Sequence, residues 1–282
     1  MNLVLFYIGI TVLCWSTSRI LQRYILKETE PYAFAFMTQV VGLLLFAPIA
    51  LRDFSIPTNP SALLFLIIAG LLWAVITVSS SISYKKTEVS LQEPISQSRI
   101  IWVFILGTLF LGEIATLQRV IGTIVVFLGV TLLLYHPERP LGRLSDPGVR
   151  WALFTSFMFA LVSVVDKLVL RWFSPNVYAF LAFAMPAVIL SLFLPRRMVH
   201  VKHLLKTHGG IALTAILISA IGYYFSLRAY AIADITFVFP LLQLTSIATV
   251  VGGIIILRER EHILQRVIAI ITVIIGSLLL KI

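Results

Sequence analysis

The feature that most restricts this chain is a succession of apolar runs, each about as long as a bilayer is thick. Hydrocarbon offers the backbone no hydrogen-bond partners, so a chain crossing it must be helical or a closed barrel. The runs are continuous rather than alternating with period two, which selects helices. At about 20 residues per span, the sequence predicts ten spans: 3–22, 32–51, 62–84, 89–111, 117–135, 151–170, 176–194, 209–231, 235–257 and 263–280. The charged fraction is 12%, against roughly 25% in soluble domains, so a soluble fold is excluded. Two connections stand out. His136–Arg150 holds three Pro and two Gly and reads as the linker, and Pro195–Thr207 reads as a basic loop. The N-terminus lacks a basic n-region and an A-x-A site, so Leu3–Leu21 reads as a retained span rather than a signal peptide.

The chain contains Tyr84–Leu133 twice. A shift of 146 residues places Tyr84 on Tyr230, Pro94 on Pro240, Gln97 on Gln243, Gly107 on Gly253 and Glu113 on Glu259. After one inserted residue, Leu117-Gln118-Arg119 falls on Leu264-Gln265-Arg266, and Gly129 on Gly276. Apolar matches arise from composition, but Pro, Gln, Glu, Gly and Gln-Arg in register mark a duplication. Five spans per copy is odd, so the second copy enters the membrane reversed. The expected fold is an all-α polytopic membrane protein, with ten transmembrane helices as two inverted five-helix repeats. The repeats are 1–137 and 151–282, joined by a linker at 138–150. This plan puts a site near the midplane between the repeats and is common among transporters.

The net charge is +10. Lys and Arg sit mostly between apolar runs, so the expected partners are anionic lipid headgroups and not nucleic acid. Fourteen basic residues fall on the face opposite the termini and six on the face carrying them. The positive-inside rule then places both termini outside the cytoplasm. The lone Cys14 lies in the first run, so no disulfide or Cys metal site is expected. His200, His203 and His208 lie in the basic stretch with no acid or Cys beside them. No metal and no cofactor is expected.

Several residues carry chemistry that lipid does not explain. Pro94 and Pro240 start a helix cheaply, or they break one and free carbonyls toward a cavity. Gln97 and Gln243 follow each Pro by three residues. Arg99 lies close to the middle of its span, where a charge faces a cavity or a partner. Ser96 and Arg99 share a stripe with Gln92, and Trp102 continues near that face. Arg99 is suited to hold a substrate carboxylate. The alternative is an internal pair with Glu93 or Asp166. Glu93 and Asp166 are the proton-carrier candidates, since burial favours the neutral carboxyl. Glu113 and Glu259 precede spans five and ten, where a carboxylate meets the positive end of a helix dipole. Tyr223, Tyr224 and Tyr230, with Trp73 and Tyr84, line an amphipathic cavity or form an interfacial belt. The belt is favoured for Tyr84 and Tyr230.

The paired pattern resembles the drug/metabolite transporter superfamily, in particular its EamA-type ten-helix members. It rests on Pro94, Phe110-Leu111-Gly112-Glu113, Gln118, Gly122 and Gly129, and on Pro240, Leu257-Arg258-Glu259, Gln265 and Gly276. Trp15-Ser16 adds to it from the first span, and Arg258 departs from it in place of Gly. The resemblance implies alternating-access movement of small, often amino-acid-like metabolites, and cytoplasmic termini in opposition to the charge count. The candidate substrate set is Arg99, Gln97, Gln243, Trp102, Ser96, Tyr223 and Trp15. Flipping of a lipid-linked sugar or headgroup is the alternative within transport. No G-x-x-x-x-G-K-[ST], H-E-x-x-H or G-x-S-x-G is present, which argues against ATP-driven transport and against an intramembrane enzyme. A monomer suffices for a duplicated chain, and a homodimer is also compatible. The expected location is the cytoplasmic membrane of a prokaryote.

Overall fold

The computed structural model describes residues 2–26, 30–86, 95–135, 146–192, 198–256 and 263–280. They form α1 (Asn2–Leu26), α2 (Pro31–Ala50), α3 (Pro60–Lys86), α4 (Arg99–Leu111), α5 (Leu117–Leu134) and α6 (Pro147–Val169). After these come α7 (Pro175–Leu192), α8 (Met198–Ile232), α9 (Ile235–Leu242), α10 (Leu244–Ile256) and α11 (Ile263–Leu280). No strand occurs among the described residues. Four helices begin on Pro (α2, α3, α6 and α7), where the missing N–H costs nothing and the fixed φ suits the first turn. Among the described residues, seven helices are long and apolar enough to cross a membrane, and three shorter apolar stretches lie at Arg99–Leu111, Ile235–Thr249 and Leu264–Leu280. The protein is an all-α, ten-span membrane protein. Many large apolar side chains are exposed on the helices, among them Leu13, Leu44, Leu109 and Phe110, as a hydrocarbon-facing surface requires.

The chain forms two compact units, and each draws on both sequence repeats. Unit 1 is Met1–Thr77 with Val165–Ile232, and unit 2 is Val78–Val164 with Ala233–Ile282. In unit 1, α1 packs on α8, and α2 on α7 and α8. Three α1 side chains, one helical turn apart, donate to α8 carbonyls: Thr11 to Gly222 (3.2 Å), Trp15 Nε1 to Ser219 (3.3 Å) and Ser18 to Ala215 (2.8 Å). Such bonds, with close approach at small residues, hold helices together where lipid competes for apolar contacts. At Gly222, a Cβ would stand 2.6 Å from Trp15 Cδ1. In unit 2, α5 packs on α11. The Gly residues of the repeat are at that contact: a Cβ on Gly276 would stand 2.8 Å from the Val126 nitrogen, and one on Gly129 2.9 Å from that of Val273.

Three expectations are corrected. Residues 198–207 are helical rather than loop, because Val201 and Leu204 are buried with Ile25, Phe34 and Ile216. The single non-helical residue in α8 is His208, at φ −133° and ψ 19°. The span predicted over 235–257 is not one helix but two, broken at Gln243. Pro240 brings no N–H to the helix, and the Gln243 side chain donates to the Phe239 carbonyl (3.3 Å), the acceptor its own backbone N–H would use in a continuous helix. That N–H instead bonds the Pro240 carbonyl at 3.1 Å. Glu113 does meet a helix N-terminus, but that of α9 rather than α5. Its carboxylate accepts from the backbone N–H groups of Ile235 and Thr236, both at 2.8 Å. Gly112, with φ 68°, ends α4 in the left-handed region and turns the chain toward it. The start of α5 is capped by Thr116, whose side chain accepts from the Arg119 N–H.

Candidate functional site

The candidates fall into two groups, one in each compact unit. In unit 2 the chain breaks at the same Gln in both repeats. Ile100 N–H bonds the Gln97 carbonyl at 2.9 Å, and Ser246 N–H bonds that of Gln243 at 2.9 Å. The two bonds correspond under the shift of 146 residues. Each is a tight i to i+3 turn ahead of a new helix, α4 or α10. Arg99 is the first residue of α4. A cation there lies at the unfavourable end of the helix dipole, so other groups must hold it. Its Nη2 donates to Gln243 Oε1 at 3.4 Å, and its guanidinium lies 5.1 Å from the centre of the Phe159 ring. The bond to Gln243 joins the break of the first repeat to that of the second. Around it, Gln97, Thr245 and Ser246 are buried. The hydroxyls of Ser98 and Ser246 are buried and have no partner among the described residues. Guanidinium and hydroxyl donors at the starts of two helices suit an anionic oxygen. The second repeat carries Thr245 where the first carries Arg99, and the Thr245 hydroxyl bonds its own helix at Leu242 (2.7 Å). The group is therefore asymmetric.

Two further members of the predicted set lie in unit 2. The Ser96 carbonyl accepts from the Ser156 hydroxyl at 2.9 Å. Trp102 is 38% exposed and rests edge-on against Phe157. Glu93, Pro94, Gln92, Arg258 and Glu259 lie outside the described residues. Nearby, Arg119 pairs with Asp234 (2.8 Å) just ahead of α9. Gln265 donates to the carbonyls of Leu132 (2.8 Å) and Tyr135 (2.6 Å) at the end of α5. Glu113 and Gln265 thus serve as helix caps.

In unit 1 the group centres on Asp166, which is 2% exposed. Its Oδ1 accepts from the Tyr178 hydroxyl and from Trp73 Nε1 (3.3 Å), and its Oδ2 from the Tyr223 hydroxyl (3.2 Å). Among the described residues no Lys or Arg pairs with it. Aromatic rings close round this carboxylate. Trp73 and Phe183 both meet Tyr223 edge-on at 5.5 Å, and Phe46 stacks on Phe183 at 5.8 Å. Lys167, adjacent in sequence, donates instead to the Tyr230 carbonyl. Tyr230 is 3% exposed, so the belt reading is corrected there: its ring packs inside the unit. The side chain of Tyr84 lies outside the described residues. Trp15 belongs to unit 1 through its bond to Ser219.

Sequence reasoning missed Tyr178, Phe159 and the Glu113 contact. A signal existed for Tyr178. It and Asp166 are equidistant from Trp172, in the tight turn between α6 and α7, and two helices folded back on such a turn bring equidistant residues together. No local signal existed for the Glu113 contact, which spans over a hundred residues.

Comparison with known proteins agrees with this architecture. A model of the EamA-like transporter family matches residues 2–135 and again 146–282. An uncharacterized transporter of Archaeoglobus fulgidus is 26% identical over 181 residues, which is 64% of each chain. The match thus spans a little under two thirds of that curated relative. A crystal structure of another protein superposes with a TM-score of 0.77, covering 98% of this chain and 95% of the other at 14% identity. At that identity the likeness speaks to fold alone.

Proposed function

The chain belongs to the EamA-like transporter family, and on that premise we propose that it is a secondary transporter of small, carboxylate-bearing, amino-acid-like metabolites. The observation that carries this reading is the Arg99–Gln243 bond at 3.4 Å, which ties together one helix break from each repeat. A guanidinium at that point offers a planar fork to a carboxylate. The buried Ser98 and Ser246 hydroxyls supply further donors. Phe159, beneath the guanidinium, fixes its plane. Helix breaks let the backbone rearrange at the site, as alternating access requires.

Asp166 supplies the coupling proton. A buried carboxylate without a counter-cation costs several kcal/mol, which its three donors only partly offset. The ionised group accepts all three bonds. Protonation at Oδ2 adds an O–H donor there and makes that oxygen a weaker acceptor for the Tyr223 hydroxyl. Proton binding therefore changes how α7, α8 and α3 meet at this carboxylate. The protein works in the cytoplasmic membrane of a prokaryote, a placement with which the archaeal relative agrees. The test is uptake by proteoliposomes of a carboxylate solute found to bind. Accumulation that follows an imposed pH gradient supports the reading. Binding without movement across the membrane contradicts it.

A further inference from the structure

Unit 1 holds a second cation that the transport reading does not use. Arg228 lies on α8, four residues before its end. Its guanidinium stands between two rings, 5.6 Å from the centre of Tyr7 and 5.8 Å from that of Tyr224. Nη2 donates to the Tyr7 hydroxyl at 3.3 Å. A guanidinium has five N–H donors, and among the described residues no carboxylate pairs with this one. Asp53, at the same end of the unit, is occupied otherwise. It accepts from Asn176 Nδ2 at 3.0 Å, and Asn176 Oδ1 accepts from Tyr224 at 2.6 Å. Tyr7 is 8% exposed. Its own hydroxyl hydrogen goes to no group among the described residues. The rings hold the guanidinium plane in place, so its remaining donors are preorganised.

Depth and surroundings indicate what those donors meet. Tyr7 and Arg228 lie about 6–8 Å inside the ends of α1 and α8 at 1.5 Å per residue, close enough to the helix ends for a long cationic side chain to reach lipid headgroups. Next to Tyr7, Phe6 is 59% and Leu3 54% exposed, and Ile232 at the end of α8 is 51% exposed. An oxyanion on Arg228 would thus have an apolar rim beside it. A soluble anion gains nothing from that rim, whereas a lipid seats its chains there.

We propose that Arg228, clamped between Tyr7 and Tyr224, is a binding site for the phosphate group of a membrane phospholipid, with its acyl chains along the Leu3–Phe6–Ile232 rim. Native mass spectrometry of the full chain in a maltoside detergent tests this. Three probes separate the parts of the ligand: dioleoyl phosphatidylglycerol, dioleoylglycerol (the same chains without phosphate) and glycerol 3-phosphate (the phosphate without chains). Retention of the phospholipid alone is expected. Arg228→Gln should weaken it about tenfold or more, as removal of a charge-assisted pair does. Arg171→Gln, which removes an exposed charge at the same end of the unit, should leave it unchanged. Equal retention by wild type and Arg228→Gln overturns the proposal. An equal loss in Arg171→Gln overturns it in favour of bulk charge. Arg228-dependent binding of glycerol 3-phosphate as tight as that of the phospholipid overturns the lipid assignment. If Arg228→Gln does not fold, Tyr7→Leu removes the hydroxyl donor and opens one face of the clamp. Retention unchanged in that variant also overturns the proposal.

Discussion

Asp166 and Arg99 pose opposite problems for a chain in hydrocarbon. Asp166 is surrounded by neutral donors from Tyr178, Tyr223 and Trp73, while Arg99 leans on Gln243 and the Phe159 ring. Asn at position 166 keeps an acceptor oxygen for those donors but carries no exchangeable acid proton. Asp166→Asn should therefore abolish accumulation driven by a pH gradient while leaving solute exchange intact, measured in the same proteoliposomes. Loss of both would mean that the carboxylate only holds unit 1 together. Arg99 was conspicuous in the sequence, because a charge at that depth needs a partner. Its partner was not conspicuous. Gln243 was known as a duplicated residue, but nothing local pairs it with an Arg across 144 positions.

At the level of helices, the contacts differ in strength for a definable reason. Interhelical hydrogen bonds between neutral groups in membranes average about 0.6 kcal/mol, so Thr11→Val should change stability little. Glu113 is a charged acceptor with two backbone partners. Glu113→Gln leaves one acceptor oxygen for two N–H groups and should cost about 1.5–3 kcal/mol, read as a lower midpoint in thermal unfolding. Gly222→Ala forces a Cβ to 2.6 Å from Trp15 and should cost about 1–3 kcal/mol by overpacking. An unchanged midpoint in either variant would refute the corresponding contact. Helix existence was legible from apolar runs, and the repeat marked where the breaks fall. Whether Pro240 started or broke its helix was not legible. Both readings satisfy the same missing N–H, and the start of α9 at Ile235, ahead of Pro240, with the capture of the Phe239 carbonyl by Gln243, decides it. Residues 198–207 were misread because charges at headgroup depth resemble a loop, although Val201 and Leu204 already had helical spacing.

For the molecule as a whole, the duplication fixes the plan, and the compact units show how it is used. Each unit takes helices from both repeats, so the Gln-centred breaks of the two copies come together inside unit 2. The family model matches twice, over 2–135 and over 146–282. Substrate class was not legible as composition or motif. It rests on Arg99, a residue the second repeat replaces with Thr245. The most direct test is therefore thermal stabilisation of purified wild-type protein and Arg99→Ala by a panel of amino acids, other carboxylates, nucleosides, sugars, polyamines and lipid-linked headgroups. A ligand that binds only the folded state raises its apparent stability by mass action, about 2.7 kcal/mol at a hundredfold excess over Kd. Stabilisation of the wild type by a carboxylate solute, lost in Arg99→Ala, is the predicted result. Stabilisation by the same solute that survives the substitution would contradict the account and leave Arg99 a structural cation.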